Sequence, residues 1–343
     1  MSRGQLRTPL CELLGCEVPI LQAGMGGVAR AELAAAVAGA GGFGMLGMVR
    51  EPPELIAREI DAVRARTDRP FAVNLIPAAT DPALLAAELD TCLAARVPAM
   101  CFFWDVVPEA VARARDAGCL VLHQVGTLEA AQAAETAGAD VLIVQGVEAG
   151  GHVHGRAGAL VLVEEVARAT ALPVVASGGF ASGASLVAAL ALGAQGIHCG
   201  TAFLATRESF AHDHHKRRVL AARAEDTVLT DLFSLNWPPG APVRVIRNAL
   251  TDAIGGTLFG HHPEALPPEV IAEDDGRPIL RYSTDSPLRT TTGDLDAMPA
   301  FAGHSATLID DLPTAAERIA AIMAEAEAAL ARLDALGGRD ERP

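Results

Sequence analysis

Short apolar runs alternate with alanine-rich amphipathic stretches from Val18 to Phe203, at a spacing of roughly 25 residues. No other feature of this chain restricts its fold as much. Runs that are apolar on both faces read as strands of a parallel sheet. They are Pro19–Ala23, Phe43–Gly47, Phe71–Ile76, Ala99–Trp104, Leu120–Val125, Val141–Gln145, Val174–Ser177 and Gly196–Cys199. The stretches between them are Ala31–Ala40, Glu54–Ala65, Ala83–Ala95, Val107–Ala117, Leu128–Ala137, Val161–Ala169 and Ser185–Leu192. Each repeats apolar residues at helical spacing. Gly39, Gly118, Gly138 and Gly193 stand where helix ends favour a left-handed cap. Eight such units predict an α/β protein built as a (β/α)8 TIM barrel; an open doubly wound sheet is the alternative.

The pattern changes after Thr206. Glu208–Lys216 is rich in charge and histidine, and Trp237-Pro238-Pro239-Gly240, Gly255-Gly256 and a polar region from His261 to Met298 follow. This predicts a smaller second domain at 207–299, on the substrate side of the barrel mouth and inserted before a C-terminal helix. The barrel then comprises 1–206 and 300–337. Thr314 and Glu317 have capping-box spacing. Ile319, Ile322, Met323, Ala326, Leu330 and Leu333 form a stripe that is expected to pack back on the barrel.

The formal net charge of −15 argues against nucleic acid and anionic lipid as partners. No apolar run is long enough to span a bilayer, and Met1–Arg7 lacks the apolar core of a signal peptide. The expectation is a soluble cytoplasmic protein, monomeric or homodimeric, acting on small molecules. Six cysteines form no C-x-x-C pair, and Cys101 and Cys199 fall in strands, so neither a disulfide framework nor a zinc site is expected. The single lysine, Lys216, lies outside every predicted strand, which sets aside Schiff-base chemistry.

The chemistry concentrates at strand ends. Val141-Leu142-Ile143-Val144 leads into Gln145-Gly146-Val147-Glu148-Ala149-Gly150-Gly151-His152. The glycines let backbone pass close to a ligand, and His152 stands just past the strand's carboxyl end, where α/β barrels keep their catalytic groups. His152 is the candidate acid/base, His154 its rival, and Glu148 reads equally as a pocket carboxylate or a helix cap. Gly24-Met25-Gly26-Gly27-Val28-Ala29 fits the dinucleotide pattern G-x-G-x-x-A. Yet the second strand ends Met45-Leu46-Gly47-Met48 without an acidic residue, so the Rossmann reading is rejected. Ala23, Gly24 and Met25 instead read as backbone laid against a flat ring. Ser177-Gly178-Gly179-Phe180 and Gly200-Thr201 follow the seventh and eighth repeat strands, where barrels hold phosphate. Asn74, His123, Gln124 and Gln145 end other strands, and amides suit the mixed edge of an isoalloxazine. Together these suggest FMN across the barrel mouth. A phosphorylated metabolite bound by an isomerase or lyase is the alternative. His212, His214 and His215 beside Asp213 read as a solvated helix face rather than a metal site, as do His261 and His262, and no metal is expected. Met25, Met45 and Met48 read as apolar lining.

These segments, in this order, resemble the nitronate monooxygenase family, formerly 2-nitropropane dioxygenases. The likeness runs from Pro19–Met25 to Ala302-Gly303-His304-Ser305 and includes Trp237-Pro238, Arg244 and Arg247-Asn248. It implies an FMN-containing TIM barrel whose catalytic histidine matches His152. It also implies FMN contacts from Ala23, Met25, Asn74, Gln124, Gln145, Gly150, Gly178, Gly179, Gly200 and Thr201; Gly24, Gly151 and Ser177 complete the candidate set. Two departures bear on substrate. No proline precedes Met25, and His304 stands where glutamine is common. The reaction implied is oxidation of alkyl nitronates by O2 to a carbonyl compound and nitrite. The alternative is an NAD(P)H-dependent FMN reductase acting on a quinone or enoyl thioester.

Overall fold

The barrel strands are β1 (Ile20–Gln22), β2 (Gly44–Gly47), β3 (Phe71–Leu75), β4 (Ala99–Phe103), β5 (Leu120–Val125) and β6 (Val141–Gln145). After a two-residue strand, β7 (Gly151–His152), come β8 (Val174–Ser177) and β9 (Gly196–Cys199). The structure, a computed structural model, describes residues 6–336. Residues 1–5 of the leader reading, and residue 337 of the barrel boundary, lie outside it. The eight long strands are parallel in the order β1-β9-β8-β6-β5-β4-β3-β2. The two ends of that order meet. Gln22 N–H donates to the Phe43 carbonyl and Phe43 N–H to the Ile20 carbonyl, each at 2.9 Å. The sheet therefore closes into the expected TIM barrel rather than staying open.

Strand alternation sorts side chains into two layers. Leu21, Met45, Ala72, Cys101, Leu122, Ile143 and Val175 fill the barrel interior. Leu46, Val73, Phe102, Val121, Leu142, Ala176 and Ile197 face the surrounding helices. Each large side chain so buried contributes roughly 1.5–3 kcal/mol. Met45 and Met48 are part of these two cores rather than of any lining.

The helices match the expected segments, from Ala31–Gly39 to Gly183–Ala191. Gly118, Gly138 and Gly193 adopt positive φ as the caps require, whereas Gly39 ends its helix without doing so and Gly41 (φ +89°) makes the reversal. The C-terminal helix Ala315–Leu336 opens with the expected capping box: Thr314 N–H donates to Glu317 Oε2 at 2.8 Å, and Glu317 N–H to Thr314 Oγ1 at 3.2 Å. It packs on Gly183–Ala191, where a Cβ at Gly183 would stand 2.0 Å from Ala326 N. Its stripe is shorter than expected, because Leu333 is exposed. No helix among the described residues is long and apolar enough to cross a membrane.

Residues 207–299 add β10 (Thr227–Thr230), β11 (Val243–Ile246), β12 (Val270–Asp274), β13 (Arg277–Leu280) and β14 (Thr292–Gly293). β11 pairs with both β10 and β7, which ties this region to the His152 loop. β12 pairs with β13 and β14. The histidine-rich run differs from its expectation as a solvated face. His215 and Lys216 on helix Asp213–Ala221 are buried. His215 Nε2 meets the Phe301 carbonyl at 2.9 Å, and Lys216 Nζ donates to the Ser209 carbonyl at 2.8 Å. The helix's amphipathic pattern was masked by polar groups that bond inward to backbone.

Candidate active site

The last inward-facing positions of the strands form the floor of one cavity of about 820 Å3. Ala23, Asn74, Phe103, Gln124, Gln145 and Ser177 each follow an interior core residue by two, and His198 follows the buried Gly196 by two, so their side chains crown the barrel interior. Asn74 is fixed by donating from Nδ2 to the Cys101 carbonyl at 3.2 Å. The walls come from loops at the carboxyl ends of the strands and from residues 207–305, including Trp237, Arg277 and Phe301.

Two loops give the cavity a backbone-lined end. Gly178 and Gly179 have φ of +90° and +87°, which only glycine adopts freely. A Cβ at Gly178 would also stand 2.8 Å from the Gly146 carbonyl oxygen. Gly200 caps the short helix Thr201–Leu204 beside them. Thr201 Oγ1 accepts from Gly303 N–H at 3.0 Å, which leaves its own O–H proton free to donate.

His152 is held by several elements. β7 pairs Val243 with His152 and Arg244 with Gly151. Gln145 Nε2 donates to the His152 carbonyl at 2.9 Å, and its Oε1 accepts from His154 N–H at 3.2 Å. Arg244 donates to the Val147 carbonyl at 2.9 Å, bracing the same loop. The imidazole stacks on the Trp237 indole, with centroids 3.4 Å apart. Its Nε2 is buried without a hydrogen-bond partner. Burial, with the Arg50 charge as a second cause, holds the His152 pKa well below the ordinary histidine value. The imidazole is therefore neutral and its free nitrogen can accept a proton. A second histidine lines the cavity. His198 Nδ1 lies 2.9 Å from Ser177 Oγ, its Nε2 is unpartnered, and burial pushes its pKa down to about 3.

The candidate residues Ala23, Gly24, Met25, Asn74, Gln124, Gln145, Gly150, Gly151, His152, Ser177, Gly178, Gly179, Gly200 and Thr201 all line this cavity. His123 does not. It shares the outward face of Val121 and Val125 and lies near Phe102, because an odd step along β5 turns it away from Gln124. His154 lines a separate hollow of about 420 Å3 and contacts Trp104 at 4.9 Å between centroids. Glu148 caps a helix: both carboxylate oxygens accept from Ala159 N–H. His304 lies outside the cavity, its N–H donating to the Glu148 carbonyl. Sequence reasoning missed Arg50, His198 and the Trp237 stack. A polar residue beside Cys199 in an apolar strand was the available signal for His198; Arg50 carried none.

The residues present suit a planar, phosphate-bearing ligand. The cavity volume lies within the roughly 300–1,000 Å3 of ligand clefts. Its floor carries the amides of Asn74, Gln124 and Gln145, and its glycine end brings the backbone of Gly178, Gly179 and Gly200 to the cavity wall. The nitronate monooxygenase family model matches residues 7–325. A nitronate monooxygenase of Paraburkholderia phytofirmans is 32% identical, over 94% of this chain and 96% of the relative. A (3aS,4S,5R,7aS)-5-hydroxy-7a-methyl-1-oxo-octahydro-1H-indene-4-carboxyl-CoA dehydrogenase of Mycobacterium tuberculosis is 38% identical, over 73% of this chain and 69% of the relative. Among solved structures, FabK from Thermotoga maritima superposes with a TM-score of 0.80 at 30% identity, over 96% of this chain and 99% of that one. With that family model spanning nearly its whole length, the chain belongs to the generally flavin-dependent oxidoreductases of the nitronate monooxygenase family.

Proposed function

We propose that this enzyme oxidises alkyl nitronates with O2, giving a carbonyl compound and nitrite, in the cytoplasm and with FMN as its cofactor. The carrying observation is the neutral, buried imidazole of His152, a residue that lines a cavity large enough for a flavin and a small substrate. Gly178, Gly179, Gly200 and Thr201 would hold the cofactor phosphate, Ala23, Gly24 and Met25 would lie against the ring, and Asn74, Gln124 and Gln145 would face its polar edge. FMN would supply the electron transfer to oxygen that no side chain here can perform.

The chain's own part is proton transfer and orientation. When a neutral nitroalkane enters, the Cα–H bond breaks, its electron pair forms the C=N bond while a nitro N=O π pair moves onto oxygen, and the proton goes to the His152 imidazole. The Trp237 stack and the Gln145 bridge keep that ring in place. Burial disfavours the protonated imidazole, so proton release follows promptly. The test is aerobic turnover of a small nitronate by FMN-loaded protein, with nitrite as the readout. Full FMN occupancy with no nitrite would end this reading.

A second reading draws on the 38% identity to a carboxyl-CoA dehydrogenase. In that reading this chain is an NAD(P)H-dependent FMN reductase acting on a quinone or enoyl thioester. Anaerobic mixing with NADH separates the two, because rapid flavin bleaching favours the reductase.

A further inference from the structure

We propose that Arg50 is the anion-recognition residue of this cavity, the cation that receives the negatively charged oxygens of the substrate beside His152. This deepens the nitronate reading and rests on it for the identity of the natural anion.

A nitronate carries a full negative charge, and so does the product nitrite. The neutral His152 offers no charge to hold either. Arg50 lines the same cavity, just past β2. Its guanidinium donates to the Asn236 carbonyl at 3.0 Å and to Thr284 Oγ1 at 3.3 Å. Asn236 immediately precedes Trp237, the residue stacked on His152, so the cation and the base are fixed to one segment. Arg50 is also close enough to depress the His152 pKa.

The neighbouring charges show why Arg50 is the available one. Arg30 is paired with Glu51 at 2.8 Å, and Arg277 with Asp285 at 3.0 Å. Asp285 also accepts from Asn236 Nδ2. Among the described residues, no carboxylate lies within ion-pair distance of Arg50. Two neutral acceptors orient its planar fork and leave charge and further N–H donors for a ligand. Its backbone has φ +57°, in the left-handed region that a side-chain-bearing residue occupies at a cost. A merely structural staple would not need a half-buried cation facing a cavity with its nearest counter-charges, on Asp285, Glu51 and Glu88, beyond ion-pair distance.

Butanoate and butanamide test the charge directly, since they match in size. Both tryptophans of the chain stand here, with Trp104 and Trp237 centroids 5.2 Å apart. Intrinsic fluorescence of the purified protein, held at one fixed flavin content, therefore reports occupancy. Wild-type protein is expected to bind butanoate about tenfold more tightly than butanamide. Arg50→Gln should erase that preference while changing butanamide affinity by less than about twofold. Arg50→Lys should keep most of the preference, because it retains the charge while losing the two anchoring bonds. An unchanged preference in Arg50→Gln overturns the proposal. So does equal loss in Arg50→Gln and Arg50→Lys, which would assign Arg50 to holding Asn236 and Thr284. Turnover separates this from the parent reading. Absent nitrite release with an Arg50-dependent butanoate preference removes the nitronate reading and supports the anion site. Normal nitronate KM in Arg50→Gln removes the anion site alone.

Discussion

The imidazole of His152 lies flat on the indole of Trp237, ring centroids 3.4 Å apart and planes 7° from parallel. This pairing joins a residue of the barrel loop to one of the region at 207–299. The indole covers one face of the imidazole, and Trp104 meets Trp237 edge-on at 5.2 Å, backing the pair. The stack is part of the burial that, with the Arg50 charge as a second cause, disfavours the charged imidazole.

Replacing His152 with Asn keeps size and a polar tip but removes the proton acceptor. FMN affinity is expected to stay within about twofold. Turnover of a neutral nitroalkane should fall roughly 10²–10⁴-fold, the usual share of a general base. Turnover of the preformed nitronate should fall far less, because its proton is already gone. Equal losses with both substrates would show that His152 acts by holding the anion instead.

Trp237→Ala uncovers the stacked imidazole and lets water reach it. The folded-state pKa of His152 should rise toward the ordinary value of about 6.5. Only the neutral form accepts a proton, so wild-type kcat/KM for a neutral nitroalkane should be level from about pH 6 to 8. The variant should lose activity as pH falls through about 6.5. A variant profile with no acidic limb would mean that burial by other groups, not the indole, sets the protonation state.

The barrel was legible in the sequence because its strands are buried on both faces, and expected boundaries fall within one residue of those observed, as for Phe71–Leu75. The candidate site was legible for the same reason. Chemistry in such a barrel gathers at strand ends, and strand ends could be read. The misses have separate causes. His123 and Gln124 are adjacent, and only the register of β5 decides which one faces inward. Arg50 sits on a loop of unusual backbone conformation, with partners 186 and 234 residues away in sequence, so no local pattern marks it. Trp237 was noted within a proline-glycine run and in the family resemblance without a contact assigned to it, and its place on His152 depends on β11 pairing with β7. Lys216 read as surface because its partners, the carbonyls of Arg207 and Ser209, are backbone groups that carry no side-chain signal.

Gly178→Ala should damage the glycine-lined end of the cavity, the proposed cofactor phosphate site, specifically. The added methyl would stand 2.8 Å from the Gly146 oxygen, at a φ of +90° that alanine resists. The turn must open, and strain of roughly 1–3 kcal/mol lowers stability. The displaced backbone should also weaken FMN binding by about tenfold or more, since one such contact is worth roughly 1.5 kcal/mol when the acceptor is charged. Equilibrium titration with FMN, beside a thermal melt, checks both. Full FMN affinity in a folded variant would move the phosphate away from this turn.

Glu88 supplies a stability prediction independent of catalysis. It lies fully buried on helix Pro82–Ala94, facing the backbone at Arg50 and Glu51 without a hydrogen bond of good geometry. Burial pushes its pKa up to about 8, and the Glu51 charge adds to the rise. Between the ordinary carboxyl value and pH 8, the folded state therefore holds a proton that the unfolded chain releases. Stability contributed by that proton is complete at low pH and declines as pH rises toward 8. Glu88→Gln mimics the protonated form at every pH. Its melting temperature should match wild type near pH 4.5 and exceed it increasingly up to pH 8, by on the order of 5 kcal/mol or about 7 °C. The difference must grow with pH if the buried carboxyl is what titrates; a constant offset, or a variant that loses ground as pH rises, would show that Glu88 is ionised and paired in the folded protein.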